Sequence, residues 1–231
     1  MLINVQQIKK QIPYKIMRVQ EAGSVAWGYS RPSSDHDILV VYEDDPVENL
    51  FSKHKPSLLS TDKNITYIIC RWSDFISQVL KFNLNYYCYL WSDEVYYSSS
   101  RVNKLRRLYT DLLRDNFSIQ MKLTVQAVSC IESYYKKDKT YKDLYRIAYM
   151  YWLALRFKEL PRSVVDVKWD GRGDNLIYET YKMYKRGLDG DMDREAKVLH
   201  QKIYETGRQI RMPQFELPRI ELETYCKLFR G

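Results

Sequence analysis

The sequence predicts an α+β fold, a mixed β-sheet with flanking helices, followed by an all-helical carboxy-terminal domain. Three observations lead there. Up to about Ser98, β-branched runs such as "HDILVVYE" and "ITYIICRW" alternate with short amphipathic stretches. Beyond it the apolar residues recur at helical spacing, first as Val102, Leu105, Leu108, Leu112 and Leu113. Hydrophobic residues make up 45% of a 231-residue chain, enough to bury the core of one large domain or two small ones. The predicted domains are therefore residues 1–98 and 99–231.

Each element has its own signal. Val5 to Gln11 reads as a short amphipathic helix halted by Pro13. "YKIMRVQEAGS" suits a strand, with Ile16, Val19 and Ala22 among polar residues, ended by Gly23 and Ser24. "VAWGYS" allows one helical turn broken at Gly28, and "RPSSD" is loop chemistry. "HDILVVYE" is a buried strand, "DDPVENLFSKHKP" is polar and partly helical, and "ITYIICRW" is a further strand. Ser73 and Asp74 offer caps to the helix "DFISQVLKF". Helical periodicity then runs through "RVNKLRRLYTDLLRDN", "SIQMKLTVQAVSCIESYYKK" and the strongly apolar "YKDLYRIAYMYWLALRFKEL", which stops before Pro161. "RGDNLIYETYKMYKRG" ends at Gly187, and "DMDREAKVLHQKIYETGRQI" starts from Asp191 or Asp193 as cap. "PRIELETYCKLFR" closes the chain, and no internal repeat is evident.

Lys and Arg number 37 against 29 Asp and Glu, a formal net charge of +8. That balance favours polyanionic partners: RNA, DNA or nucleotides. Cys70, Cys88, Cys130 and Cys226 lie far apart with no metal-type spacing, which argues against a zinc site. "MLINVQQIKKQIPYK" has no apolar core of a signal peptide, and no apolar run nears the roughly 20 residues of a membrane span. A cytoplasmic protein without a membrane partner is the expectation. The 21 tyrosines suit core packing, with base stacking as their other use.

The chemistry concentrates in "AGSVAWGYSRPSSDHDILVVYE", Ala22 to Glu43. Residues two apart on a strand share a face, so Asp35 and Asp37 project together. Two like charges held close call for a cation, and Mg²⁺ prefers carboxylate oxygens while sharing its other positions with water and phosphate. Gly23 lets the backbone approach a phosphate, the Ser24 hydroxyl can hydrogen-bond it, and a helix beginning there would add its amides. A Gly-Ser or an Asp-x-Asp alone is an ordinary turn or surface feature. The ordered combination of strand, Gly-Ser, Gly, Asp-x-Asp and strand is more specific.

That order resembles the nucleotidyltransferase superfamily of DNA polymerase β. The form Gly-Ser-x-x-x-Gly-x-x-x-x-x-Ser-Asp-x-Asp is most similar to nucleotidyltransferases linked to RNA repair operons (the RlaP type). "YIICRWSDFISQVLKFNLN" is similar to that family's strand, helix and Lys-x-Asn segment, and "YKDLYRIAYMYWLALRFKELP" to its helical-domain segment. The resemblance implies a nucleotidyltransferase-type sheet and binding of a nucleoside triphosphate with Mg²⁺ or Mn²⁺. Gly23, Ser24 and Ser34 would hold the triphosphate, and Asp35 and Asp37 the metal. Such enzymes need a third carboxylate on a neighbouring strand, acting as base. Laying Lys-x-Asn onto Lys81–Asn83 puts Thr66 near that position, and the nearest acid is Asp62. Arg146 and Tyr149 stand where a family His and Arg are expected, and Arg146 can reach a phosphate bidentately.

Other features carry plainer readings. His36 should point away from the aspartates as a packed or hydrogen-bonded residue, and His54 and His200 have no partner pattern. "GRGDN" reads as loop and helix cap, and Trp27 as packing for the turn, with base stacking as its alternative. The basic "RVNKLRRLYTDLLR" is either a solvated face or a nucleic-acid groove. The expected function is transfer of a nucleoside monophosphate from a nucleoside triphosphate, ATP or CTP first, to a hydroxyl, an RNA (tRNA-like) 3′ end being the best acceptor. One alternative is a same-fold, toxin-like transferase acting on a protein or small molecule. Another is a weak or inactive nucleotide- or RNA-binding module.

Overall fold

The computed structural model describes residues 3, 5–12, 14–28, 30, 34–44, 57–62, 65–115, 117–136, 140–159, 167–169, 174–185, 190–210 and 216, with only the backbone for 7, 57–62, 115, 159, 184 and 185. The segments 45–56 and 217–231, with most of "DDPVENLFSKHKP" and the whole of the closing "PRIELETYCKLFR", lie outside them, as does Gly187. The chain divides into two compact units: Met1–Asp111 with Asp166–Lys168 and Arg219–Gly231, and Leu112–Val165 with Trp169–Pro218.

The first unit is α+β. Its elements are α1 (Val5–Gln11), β1 (Ile16–Glu21), α2 (Gly23–Ala26), β2 (His36–Tyr42), β3 (Ser57–Asp62), β4 (Ile65–Arg71), α3 (Trp72–Leu80), α4 (Leu84–Trp91), β5 (Val95–Ser98) and α5 (Ser100–Asp115). The sheet order is β3-β4-β2-β1-β5. β2 and β4 run parallel, and every other neighbouring pair is antiparallel, so the sheet is mixed. On one face Ile16, Val19, Ile38, Val40 and Ile65 pack with Ile8 of α1. α3 lies against β2 and β4, burying Trp72, Phe75, Ile76, Val79 and Leu80.

β3, α4 and β5 are elements that the sequence reading did not single out. "LNYYCYLW" is a short apolar run, which periodicity alone cannot assign to helix or strand. What decides is Asn83, whose side chain accepts a hydrogen bond from the Asn85 amide at 3.0 Å and caps α4. Ser73 and Asp74 do not cap α3. Arg71 holds the cap position without a side-chain bond, Asp74 pairs with Arg71 at 2.8 Å, and Ser73 donates its amide and hydroxyl to Asp44. Cys70 is buried in β4, and burial, reinforced by the nearby Asp74, pushes its thiol up to about 12.

The first unit runs on past Ser98 to Asp111 because α5 packs into it. Val102, Leu105 and Tyr109 are buried, and the Tyr109 ring meets Phe82 and Tyr87 at 5.8 and 5.6 Å. Arg101 at the start of α5 pairs with Glu43, which also meets Lys15 at 3.2 Å. Burial works against the Glu43 carboxylate, but the two cations outweigh it and hold its pKa below the ordinary value.

In the second unit the helices are α6 (Phe117–Tyr135), α7 (Tyr141–Glu159), α8 (Asn175–Lys185) and α9 (Arg194–Arg208). α7 packs against the other three. Its residues Ile147, Ala148, Tyr149, Met150, Tyr151, Trp152, Leu153 and Ala154 are consecutive and buried, the pattern of a helix surrounded by its neighbours. Trp169 is buried beside it, with the Tyr145 and Tyr181 rings at 4.5 and 5.6 Å. Among the described residues six tyrosines, Tyr87, Tyr109, Tyr141, Tyr145, Tyr149 and Tyr151, are core residues, fewer than the majority that the sequence suggested. Asp193 is the cap of α9, accepting from the Ala196 amide at 2.8 Å, and Asp174 of "GRGDN" accepts from the Ile177 amide at the start of α8. α9 crosses α6 closely at Gly207, where a Cβ would lie 2.8 Å from Ile131 Cδ1. No helix among the described residues is long and apolar enough to cross a membrane.

Candidate functional site

The Gly-Ser segment sits where β1 leaves the sheet. Glu21 is the last residue of β1, and Ala22 stays extended, donating its amide to the Asp37 carbonyl at 2.7 Å. Gly23 then turns the chain with φ +53°, in the left-handed region. A Cβ at Gly23 would lie 2.5 Å from Asp37 Oδ2. Position 23 thus admits only glycine on two grounds: the backbone conformation, and a carboxylate occupying the space of any side chain. The two halves of the motif, fourteen residues apart in sequence at Gly23 and Asp37, are in contact here.

α2 is a single turn of four residues, in line with the one turn expected before Gly28, so it supplies little macrodipole. What it supplies is its leading amides, which have no acceptor within a helix, beside the half-buried Ser24. Trp27 closes the turn and is only 8% exposed, so it packs the turn onto the core rather than offering a stacking face. Gly28 follows at φ +79°.

Ser34 and Asp35 precede β2, Ser34 half-buried and Asp35 exposed, and Asp37 is the second residue of the strand. Asp35 and Asp37 present hard oxygen donors, and Mg²⁺ is commonly bound through one or two carboxylates plus waters and substrate phosphate. That donor set, the exposed Asp35 and the half-buried Asp37 at the start of β2, fits one such ion. A third carboxylate is another matter. In the parallel ladder Asp37 is paired with Thr66 and His36 with Ile65. Thr66 is therefore the β4 residue beside Asp37. Asp62 pairs with Ile65 on β3. Its backbone stands two strand spacings, roughly 10 Å, from β2. Among the described residues no three His, Cys, Asp or Glu side chains are grouped for a metal ion.

His36 behaves as expected of a hydrogen-bonded residue between the two aspartates. Its Nδ1 lies 3.1 Å from Glu21 Oε1, which also accepts from the Tyr96 hydroxyl. Glu21 is only 3% exposed. Burial, followed by the Glu21 contact, raises the Tyr96 pKa. The sequence reading passed over Glu21. The available signal was a charged residue at a strand end directly before Ala22-Gly23-Ser24.

The basic residues are partly committed to structure. Arg18 is fully buried and donates to the carbonyls of Tyr89 and Ser92 at 3.3 and 3.1 Å, while Arg106 donates to those of Leu90 and Ser92 at 2.7 and 3.2 Å. These are the carbonyls at the carboxy-terminal end of α4, where cations are favoured. Of the "RVNKLRRLY" cations, Arg101 and Arg106 thus hold the fold, and Lys104 and Arg107 are exposed. Arg146, in the second unit, pairs with Asp143 at 3.2 Å and lies over the Tyr134 ring at 5.5 Å. The structure therefore brings Gly23 and Asp37 together, with Ser24, Ser34 and Asp35 adjacent in the chain. No protein-family model matches this sequence, and no curated protein is found to be similar to it.

Proposed function

We propose that the chain is a Mg²⁺-dependent nucleotidyltransferase that moves a nucleoside monophosphate from a nucleoside triphosphate to a hydroxyl. The observation that carries this reading is the contact of Gly23 with Asp37, which joins a phosphate-compatible turn at the end of β1 to an acidic pair at the start of β2. Asp35 and Asp37 hold the ion, and Gly23, Ser24 and Ser34 receive the triphosphate. When bound, the ion neutralises phosphate charge and orients the α-phosphate. The acceptor oxygen bonds to the α-phosphorus and the α–β bridging bond breaks. Pyrophosphate leaves with that electron pair, and the hydroxyl proton passes to solvent. The net charge of +8, with Lys104 and Arg107 exposed, supports RNA as acceptor.

One observation favours a second reading. Thr66, in register with Asp37, cannot act as a carboxylate base. A nucleotide- or RNA-binding module with weak or no turnover fits that register. The test is incubation of the protein with labelled nucleoside triphosphates, Mg²⁺ or Mn²⁺ and total RNA. Labelled RNA, lost by orders of magnitude in Asp35→Ala and Asp37→Ala, is the expected result. Labelled protein would shift the acceptor. No label despite calorimetric triphosphate binding would leave the binding module.

A further inference from the structure

We infer that Glu21 and His36 are positioning residues that fix the acidic pair against the Gly-Ser turn, an inference that rests on reading Asp35 and Asp37 as the metal carboxylates. The geometry is specific. Glu21 lies two residues before Gly23, and His36 lies between Asp35 and Asp37. Their contact, Nδ1 to Oε1 at 3.1 Å, therefore closes the base of the segment that carries both halves of the site. Two other ties act at the same place: the Ala22 amide on the Asp37 carbonyl at 2.7 Å, and the Asp37 carboxylate over Gly23. Neighbours on a strand point to opposite faces, so His36 grips the sheet from the side away from Asp37. With Oε1 accepting, Nδ1 carries the proton.

The chemistry of Glu21 argues for placement over stability. It is 3% exposed, and its Oε2 is buried with no hydrogen-bond partner among the described residues. A buried carboxylate oxygen left bare is unfavourable, and an apolar side chain of similar volume commonly stabilises a core better. What an apolar residue cannot do is accept from His36 and Tyr96 together. That double acceptance sets the direction of His36, and through the backbone the directions of Asp35 and Asp37. Residues that orient metal ligands from behind typically change metal affinity by about 10- to 100-fold when replaced.

The test separates placement from folding. Mn²⁺ is titrated into the full-length wild type and into Glu21→Met, His36→Leu and His36→Asn, with bound ion counted by electron paramagnetic resonance and each melting temperature recorded. Asn places an amide donor close to the position of the imidazole Nδ1. The expected result is Mn²⁺ affinity about 10- to 100-fold lower in Glu21→Met and His36→Leu at an unchanged or higher melting temperature, with most of the loss recovered in His36→Asn. Should Glu21→Met not fold, the two His36 variants decide. Variants that bind as the wild type does would overturn this inference and leave the proposed function standing. So would an affinity loss that only tracks a fall in melting temperature, without recovery in His36→Asn. A wild type that binds Mn²⁺ no better than Asp35→Ala with Asp37→Ala would overturn the metal reading, and this inference with it.

Discussion

The two compact units bury different things. In the first, Arg18, Glu21 and Arg71 are buried charged residues, all on strands β1 and β4 beside the strand that carries Asp37. In the second, the interior is aromatic and aliphatic along α7, and among the described residues the buried acid is Asp143, near the start of that helix and bonded to Thr140 and Arg146. Buried charge is unfavourable unless each group is met by a partner. The first unit accepts that penalty where direction matters: at the turn, at the acidic pair and at the α4 carbonyls. The second unit is built for packing. The proposed site thus lies in the unit where stability is least optimised.

The comparison can be broken by exchanging the expected effects. The largest belongs to the second unit. Leu153→Ala, at a fully buried position of α7, should lower unfolding free energy by about 2–5 kcal/mol in denaturant titrations while leaving Mn²⁺ affinity unchanged. A change in Mn²⁺ affinity would mean that the helical interior does more than pack. Next comes Gly23→Ala. Forcing a Cβ into the left-handed region costs about 1–2 kcal/mol. The same Cβ displaces the Asp37 carboxylate, so calorimetry should show triphosphate and Mn²⁺ binding lost while a folded protein persists.

The smallest effect is electrostatic. Lys15 and Arg101 hold the Glu43 pKa below its ordinary value. Glu43 therefore contributes stability above the unfolded-state value, about 4.3, and loses it as pH falls through the lower folded-state value. Glu43→Gln should cost up to about 1 kcal/mol at pH 7, because the pair is partly solvated, and the gap from wild type should close in acid. Chemical denaturation at pH 7, 5 and 3 checks it.

The sequence carried the fold unevenly, for physical reasons. β1, β2 and β4 were legible because strand periodicity and β-branched runs leave strong local traces. β5 has only four residues, and α4 is an apolar octet whose assignment depends on Asn83. The expected boundary after Ser98 lies ahead of the division at Asp111, and the Tyr109 ring packs on Phe82 and Tyr87 of the first unit. At the site, Gly23 and Asp37 were legible from order and spacing. The pairing of Thr66 with Asp37 comes from the parallel ladder, a long-range register with no local trace in the sequence. Glu21 was not, since a charged strand residue shows no sign in sequence of being buried or of which histidine it meets.

Cys70 carries a consequence for measuring all of this. A thiol pushed up to about 12 and buried in β4 is almost wholly un-ionised near neutral pH, so thiol reagents meet almost none of the reactive form while the sheet is closed. Its labelling rate then becomes a clock for transient opening of the strand next to Asp37. Half-buried Cys130 on α6 should react on its own schedule. With labelling followed site by site, Cys70 reports on the first unit and Cys130 on the second in one sample.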